Sequence, residues 1–303
     1  MNNYLENKIL HDIVKHMKKI LTNCKISFSH DATDQEIFLE YMNAFRKRIC
    51  PKPRKVIFSK ELQRKIDNKC ILKNGQPLSS DYVQNIVSLI SHFKQLFEDG
   101  ADLNNHLSTQ IFTSKRQDIL FNTWNIKHIH LNKVEAVSKN AMKNNRADYL
   151  LFCVVENDSV YFLDVRHHPN RDEFSSYSFL KIAFNNNWMK HLGFVEMGSE
   201  YVPHSIQPAI TNDKDIYELY NNKLNLAFDF EGHGYISIET GITRSGDKIA
   251  NIVFLNQVKK QLRNLPFSKD DYVDFTPDND EGISGIIKFN CGDKVSTYRF
   301  NFD

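Results

Sequence analysis

Apolar residues in the first hundred positions return every three or four places. Leu5, Ile9, Ile13, Met17 and Ile20 form one helical stripe. Ile37, Phe38, Tyr41, Met42, Phe45 and Ile49 form a second, opened by Thr33 and Glu36 as a capping box and closed by Pro51. A third stripe, Val83, Ile86, Val87, Ile90, Phe93 and Phe97, starts at Ser80 as cap and stops at Gly100. From Trp124 the period changes to two. "KHIHL", "DYLLFCVV" and "SVYFLDV" predict three short strands, the last two joined by the turn "END", and "FSSYSFLKIAFNNNWMKHLGF" predicts a helix after them. Further on, "LNLAFDFEGHGYISIET" alternates like a strand pair, "IANIVFLNQVKKQLRNL" is an amphipathic helix stopped by Pro266, and "GIIKFNCGDKVSTYRFNF" is a hairpin. The pattern predicts an α+β fold: N-terminal helices, a central antiparallel β-meander followed by a helix, and a C-terminal α+β layer. Three regions follow, 1–110, 111–200 and 201–303, although the stretch between Gly198 and Asp215 serves equally well as a boundary or as a loop within one domain.

Composition fits a folded chain. Its 303 residues, 41% hydrophobic and 25% charged, allow one large domain or two ordinary ones. No run of about eighteen apolar residues and no signal-peptide core is present, so a cytoplasmic protein with no membrane partner is expected. The five cysteines are scattered and never spaced as C-x-x-C, which argues against a disulfide framework or a thiolate zinc site.

Charge changes the picture more. The net charge of +2 hides a segment, Arg46 to Lys73, with eleven basic residues against Glu61 and Asp67. Arg46, Lys47, Arg48, Lys52, Arg54 and Lys55, with Lys127 further on, are the candidates for gripping phosphates, and RNA or another nucleic acid is the expected partner. From Pro266 onward eight acidic residues stand against four basic ones. That end suits a basic partner or a neighbouring copy, and leaves oligomerisation open.

Candidate chemistry gathers in the meander. Four of the twelve histidines, His128, His130, His167 and His168, fall within about forty residues. In a strand, His128 and His130 point the same way. Alternation also puts Asp164, Arg166 and His168 on one face, with Tyr161, Leu163, Val165 and His167 on the other; Leu163 and Val165 favour burial of the second set. Cleavage of RNA without metal needs a base for the 2′-hydroxyl, an acid for the 5′-oxygen and fixed positive charge at phosphorus. Histidine and arginine supply these, and no cofactor is called for.

The order of elements from about residue 118 to 188, with Arg146 beginning an inner strand and a strand ending in His168 before a helix, resembles the RelE/ParE-type toxins of the barnase–colicin–RelE ribonuclease group. The resemblance covers about a quarter of the chain. It implies a metal-independent endoribonuclease, toxin-like or acting in phage defence, with an antitoxin or defence-system partner. It implies Arg146 as phosphate stabiliser and His128, His130 or His168 as acid and base. The chain departs from those toxins in its length and in lacking a terminal Lys/Tyr cluster. Two other readings stand beside it. "RADYLLFCVVENDSVYFLDVR" is similar to the hairpin of restriction-like nucleases, with Asp148 and Asp164 as the metal-holding carboxylates but Arg166 where a lysine is expected. A non-catalytic nucleic-acid or protein-binding module is the other. A zinc clip through His128 and His130 lacks a third ligand at recognisable spacing.

Overall fold

A computed structural model describes residues 3–73, 75–115, 118–132, 147–168, 177–197, 212–222, 227–230, 233–237, 248–265, 273–277, 285–291 and 294–300. The protein is α+β, and it divides into two compact units built from interleaved segments. Met1–Arg46, Phe112–Arg116 and Ala250–Asp303 make one; Lys47–Ile111 and Gln117–Ile249 make the other. This division differs from three consecutive regions, because the N-terminal helices find their apolar partners at the far end of the chain.

In the first unit, helices α1 (Asn3–Asn23) and α2 (Asp34–Arg46) carry the first two apolar stripes. The capping box forms as expected: the Thr33 N–H donates to the Glu36 carboxylate at 2.8 Å, and the Glu36 N–H donates to Thr33 Oγ1 at 3.4 Å. Ile9, Ile13, Met17, Ile37 and Phe38 bury their side chains with Leu255, Val258 and Leu262 of a late helix, and with Phe275 and Ile287 of a late three-stranded antiparallel sheet.

The second unit is organised by a four-stranded sheet. Its strands are β1 (Lys55–Phe58), β4 (Ile126–His130), β5 (Tyr149–Val155) and β6 (Ser159–His167), in the order β1-β6-β5-β4. The short strands β2 (Leu72–Lys73) and β3 (Gln76–Pro77) lie between β1 and β4 in sequence and form their own pair. The meander β4-β5-β6 is antiparallel, as the pattern predicts, but β1 adds a parallel strand and makes the sheet mixed. β1 comes from inside the basic stretch, where two prolines and many cations mask a four-residue strand.

Helices cover both faces. α4 (Ser80–Asp99) covers one, with Phe97 against Phe162 at 5.7 Å between ring centroids. The helix Ser178–Asn185 covers the other, with Phe179 against Phe152 at 4.8 Å. α3 (Lys60–Asp67) follows β1 and runs beside β6; α5 (Ile119–Trp124) leads into β4, so the helix at Ser178–Asn185 is α6. Ser59 links sheet and helix: its hydroxyl donates to the Leu163 carbonyl at 2.6 Å and accepts from the Leu62 N–H at 2.9 Å.

With a helix on each face, the set Asp164, Arg166 and His168 is unevenly exposed: Asp164 is buried, whereas Arg166 and His168, at the end of β6, are partly open. The register also slips between Phe152 and Cys153, which places Leu163 in the α6-side core with Phe152. Asp164 is consequently 3% exposed. Among the described residues no helix is long and apolar enough to cross a membrane.

Candidate functional site

The register brings distant residues together on the α6 side of the sheet. Asp164 pairs with Phe152 and Phe152 with His128; Arg166 pairs with Leu150 and Leu150 with His130. Two rows across three strands therefore each run from a charged residue on β6, over an apolar floor on β5, to a histidine on β4. His168 lies just past the end of β6, where its backbone N–H donates to the Asp148 carbonyl at 2.6 Å.

The three histidines form a line. The rings of His168 and His130 are 5.8 Å apart, and those of His130 and His128 are 6.1 Å apart. Beyond His128 stands Asp118, whose Oδ2 is 3.8 Å from His128 Nδ1. Exposure grades along the line: His128 is buried, whereas His130 and His168 are partly open. Burial lowers the pKa of His128; Asp118 opposes that shift, and His168 and Lys127 add to it. Asp118 holds its place by capping α5, accepting the Phe121 N–H at 3.1 Å.

Arg166 has a defined seat. Its Nε donates to Asp164 Oδ2 at 2.7 Å, its Nη2 to Ser178 Oγ at 2.8 Å, and its guanidinium lies 4.0 Å from the centre of the Phe179 ring. Lys65 donates to the other oxygen of Asp164 at 2.6 Å. Two cations on one carboxylate fit a structural ion-pair network. Asp148 is exposed and its Oδ2 accepts from Tyr82 at 3.0 Å. The pair singled out for metal binding is thus engaged by lysine, arginine and tyrosine donors. Among the described residues no three His, Cys, Asp or Glu side chains group as metal ligands.

The proposed phosphate-gripping residues divide. Lys55 is exposed on β1. Lys52 reaches Asn157 at 2.5 Å and Asp158 at 3.2 Å. Arg54 turns inward, donating to the carbonyls of Glu156 and Cys50 at 2.8 Å each and of Lys52 at 3.2 Å. Arg46 belongs to the first unit, 5.8 Å from the Phe254 ring, and Arg48 is partly buried in the second. Lys47 and Lys127 are buried, at 6% and 7% exposure. Burial pulls their pKa values down to about 8 and about 7, with Asp118 opposing both shifts. Arg146 lies outside the described residues.

Sequence reasoning missed Asp118 and the seat of Arg166. The signal for Asp118 was its position just before "ILFNTW", an N-cap placement. No signal put Arg166 in one row with Leu150 and His130, because that needs the register of three strands. No family model, curated protein or solved structure matches the chain.

Proposed function

We propose that the second unit is a metal-independent endoribonuclease whose acid and base are His130 and His168. The supporting observation is the pair itself: two partly exposed imidazoles 5.8 Å apart between centroids, close enough for one phosphate group to meet both within hydrogen-bond reach. One imidazole takes the 2′-hydroxyl proton as that oxygen bonds to phosphorus. The other gives a proton to the departing 5′-oxygen as its bond to phosphorus breaks, which leaves a 2′,3′-cyclic phosphate. Arg166 supplies positive charge two residues before His168. His128, buried against Asp118, fixes the inner end of the row.

Incubating the purified protein with mixed RNA and analysing the end groups tests this reading. Cleavage should survive a chelator and yield cyclic phosphate termini. His130→Ala should slow it by about a hundredfold or more, the scale of a lost acid or base. RNA left intact, or cleavage that stops in chelator, rejects the proposal.

A further inference from the structure

We propose that Tyr82, backed by Tyr149 and flanked by Leu72, stacks one unpaired nucleobase beside the phosphate assigned to His130 and His168. The inference rests on the ribonuclease reading for that phosphate, and deepens it by naming the substrate class, single-stranded RNA.

Few large apolar side chains are left in solvent, and two of them meet at one place. Among the described residues six are exposed, and Leu72 at 44% and Tyr82 at 37% both adjoin the same buried residue, Tyr149. The Tyr149 hydroxyl donates to the Leu72 carbonyl at 3.3 Å, and the Tyr82 ring lies 5.9 Å from the Tyr149 ring. Tyr149 in turn meets the partly exposed His167 ring edge-on at 5.5 Å. The Tyr82 hydroxyl donates to Asp148 Oδ2 at 3.0 Å. Hydroxyl bonds at both tyrosines hold this aromatic shelf in place, so a planar ligand finds it already formed and binding orders little.

The shelf adjoins the histidine pair because Asp148 holds both. Tyr149 pairs with His167, and one step outward the Asp148 carbonyl accepts the His168 N–H at 2.6 Å. By strand alternation Tyr149 and His167 lie on the α4 side, whereas Asp148 shares the α6 side with Leu150, Arg166 and His168. Tyr82, in the first turn of α4, therefore reaches round the end of β5 to Asp148. Adjacent strands lie about 4.8 Å apart, so an RNA chain crossing this end passes from the histidines to the tyrosine within about one nucleotide.

Charge decides between a base and a second phosphate. Asp148 is an exposed carboxylate at the edge of the shelf, and it would repel a phosphate there. A base is neutral, its face stacks on the ring, and its edge N–H groups can donate to the carboxylate. In a duplex both faces of each base are already covered, so the shelf takes unpaired bases.

The test uses fluorescently labelled 2′-O-methyl RNA hexamers, which lack the attacking hydroxyl and so report binding without cleavage. Anisotropy on titration with the full chain is measured for an intact single strand, for strands carrying one abasic site at each position in turn, and for the matching duplex. Tyr82→Ala should weaken binding of the intact single strand about tenfold, the scale of one lost base stack, and leave the duplex unchanged. One abasic position should cost the wild type a similar factor and cost Tyr82→Ala almost nothing more, because both changes remove the same contact. A structural defect would instead weaken every probe alike. Tyr82→Trp should keep the affinity; Tyr82→Leu, which keeps apolar bulk and so guards against a folding defect in the alanine variant, should lose it. Wild-type affinity in both Tyr82→Ala and Tyr82→Leu, or a loss shared by all probes, overturns the proposal. So does a wild-type protein that binds no single strand, the result expected of a shelf for a protein partner. Tyr82-dependent binding without RNA cleavage rejects the ribonuclease reading and keeps the shelf, and cleavage with Tyr82-independent binding does the reverse.

Discussion

Replacing Asp164 by Asn tests the buried charge network beneath the histidine row. The carboxylate is 4% exposed and accepts three donors: Lys65 Nζ at 2.6 Å, Arg166 Nε at 2.7 Å and the Val165 N–H at 2.9 Å. Asn keeps the shape and one acceptor oxygen, but its NH₂ must then face a cationic donor. Breaking a buried pair from one side costs about 3–5 kcal/mol. Lys65 and Arg166 are 35% and 23% exposed, so water recovers part of that loss. The expected cost is therefore about 2–3 kcal/mol, near the value of hydrogen bonds to charged groups. The chain's two tryptophans, Trp124 and Trp188, both lie in this unit's core, so their fluorescence reports its unfolding directly. With an urea dependence of about 2 kcal/mol per molar, the midpoint should fall by about 1–1.5 M. Asp164→Asn combined with Lys65→Met should cost less than the sum of the two single changes, since both break one contact. A midpoint within about 0.2 M of wild type would show that the network contributes little, and the reasoning would fail.

Two further outcomes follow from the same unit. Gly100 caps α4 at φ 73°, and an added Cβ would meet the backbone N of Pro53 at 2.5 Å and the carbonyl carbon of Lys52 at 2.6 Å. Gly100→Ala should cost about 2–4 kcal/mol in the same fluorescence assay, and an unchanged midpoint would refute the close approach. Lys127 has its pKa lowered from 10.5 to about 7. Between those values the unfolded chain holds the extra proton, so stability should rise with pH from about 7 upward, the reverse of a group that gains a partner on folding. Lys127→Met should flatten that rise in chloride buffer; an identical slope in wild type and variant would count against it.

The legible parts of the fold were local. Three apolar stripes, a capping box and three alternating runs each carry their signal within about twenty residues, and each became the expected element. Strand alternation likewise sufficed to put His128 and His130 on one face. What could not be read was non-local. β1 is four residues among prolines and cations, and it is a strand only because β6, about a hundred residues on, offers it a parallel edge. The proximity of His168 to His130 depends on the meander's register, and the slip at Phe152/Cys153 moved Leu163 off its expected face. Arg54, Lys47 and Lys127 looked like surface cations because their residue types usually are. Arg54 reaches the Glu156 carbonyl about a hundred residues on and Lys47 feels Asp118 about seventy residues on, whereas Lys127 turns in upon Phe121 and Asp118, both within ten residues of it.

The first unit has a consequence for how the chain is made. α1 and α2 leave the ribosome early, yet the apolar side chains they pack against include Leu255, Val258, Leu262, Phe275 and Ile287. About two hundred residues must be added after Arg46 before the first of these exists. At translation rates of about 5–20 residues per second, the apolar stripes of α1 and α2 wait some 10–40 s without their late partners. The second unit, whose segments lie between Lys47 and Ile249, can close during that interval. A nascent chain stalled near Ile249 should therefore present a closed histidine row together with two helices still exposing Ile9, Ile13, Ile37 and Phe38, a state open to holdase chaperones and absent from the finished protein.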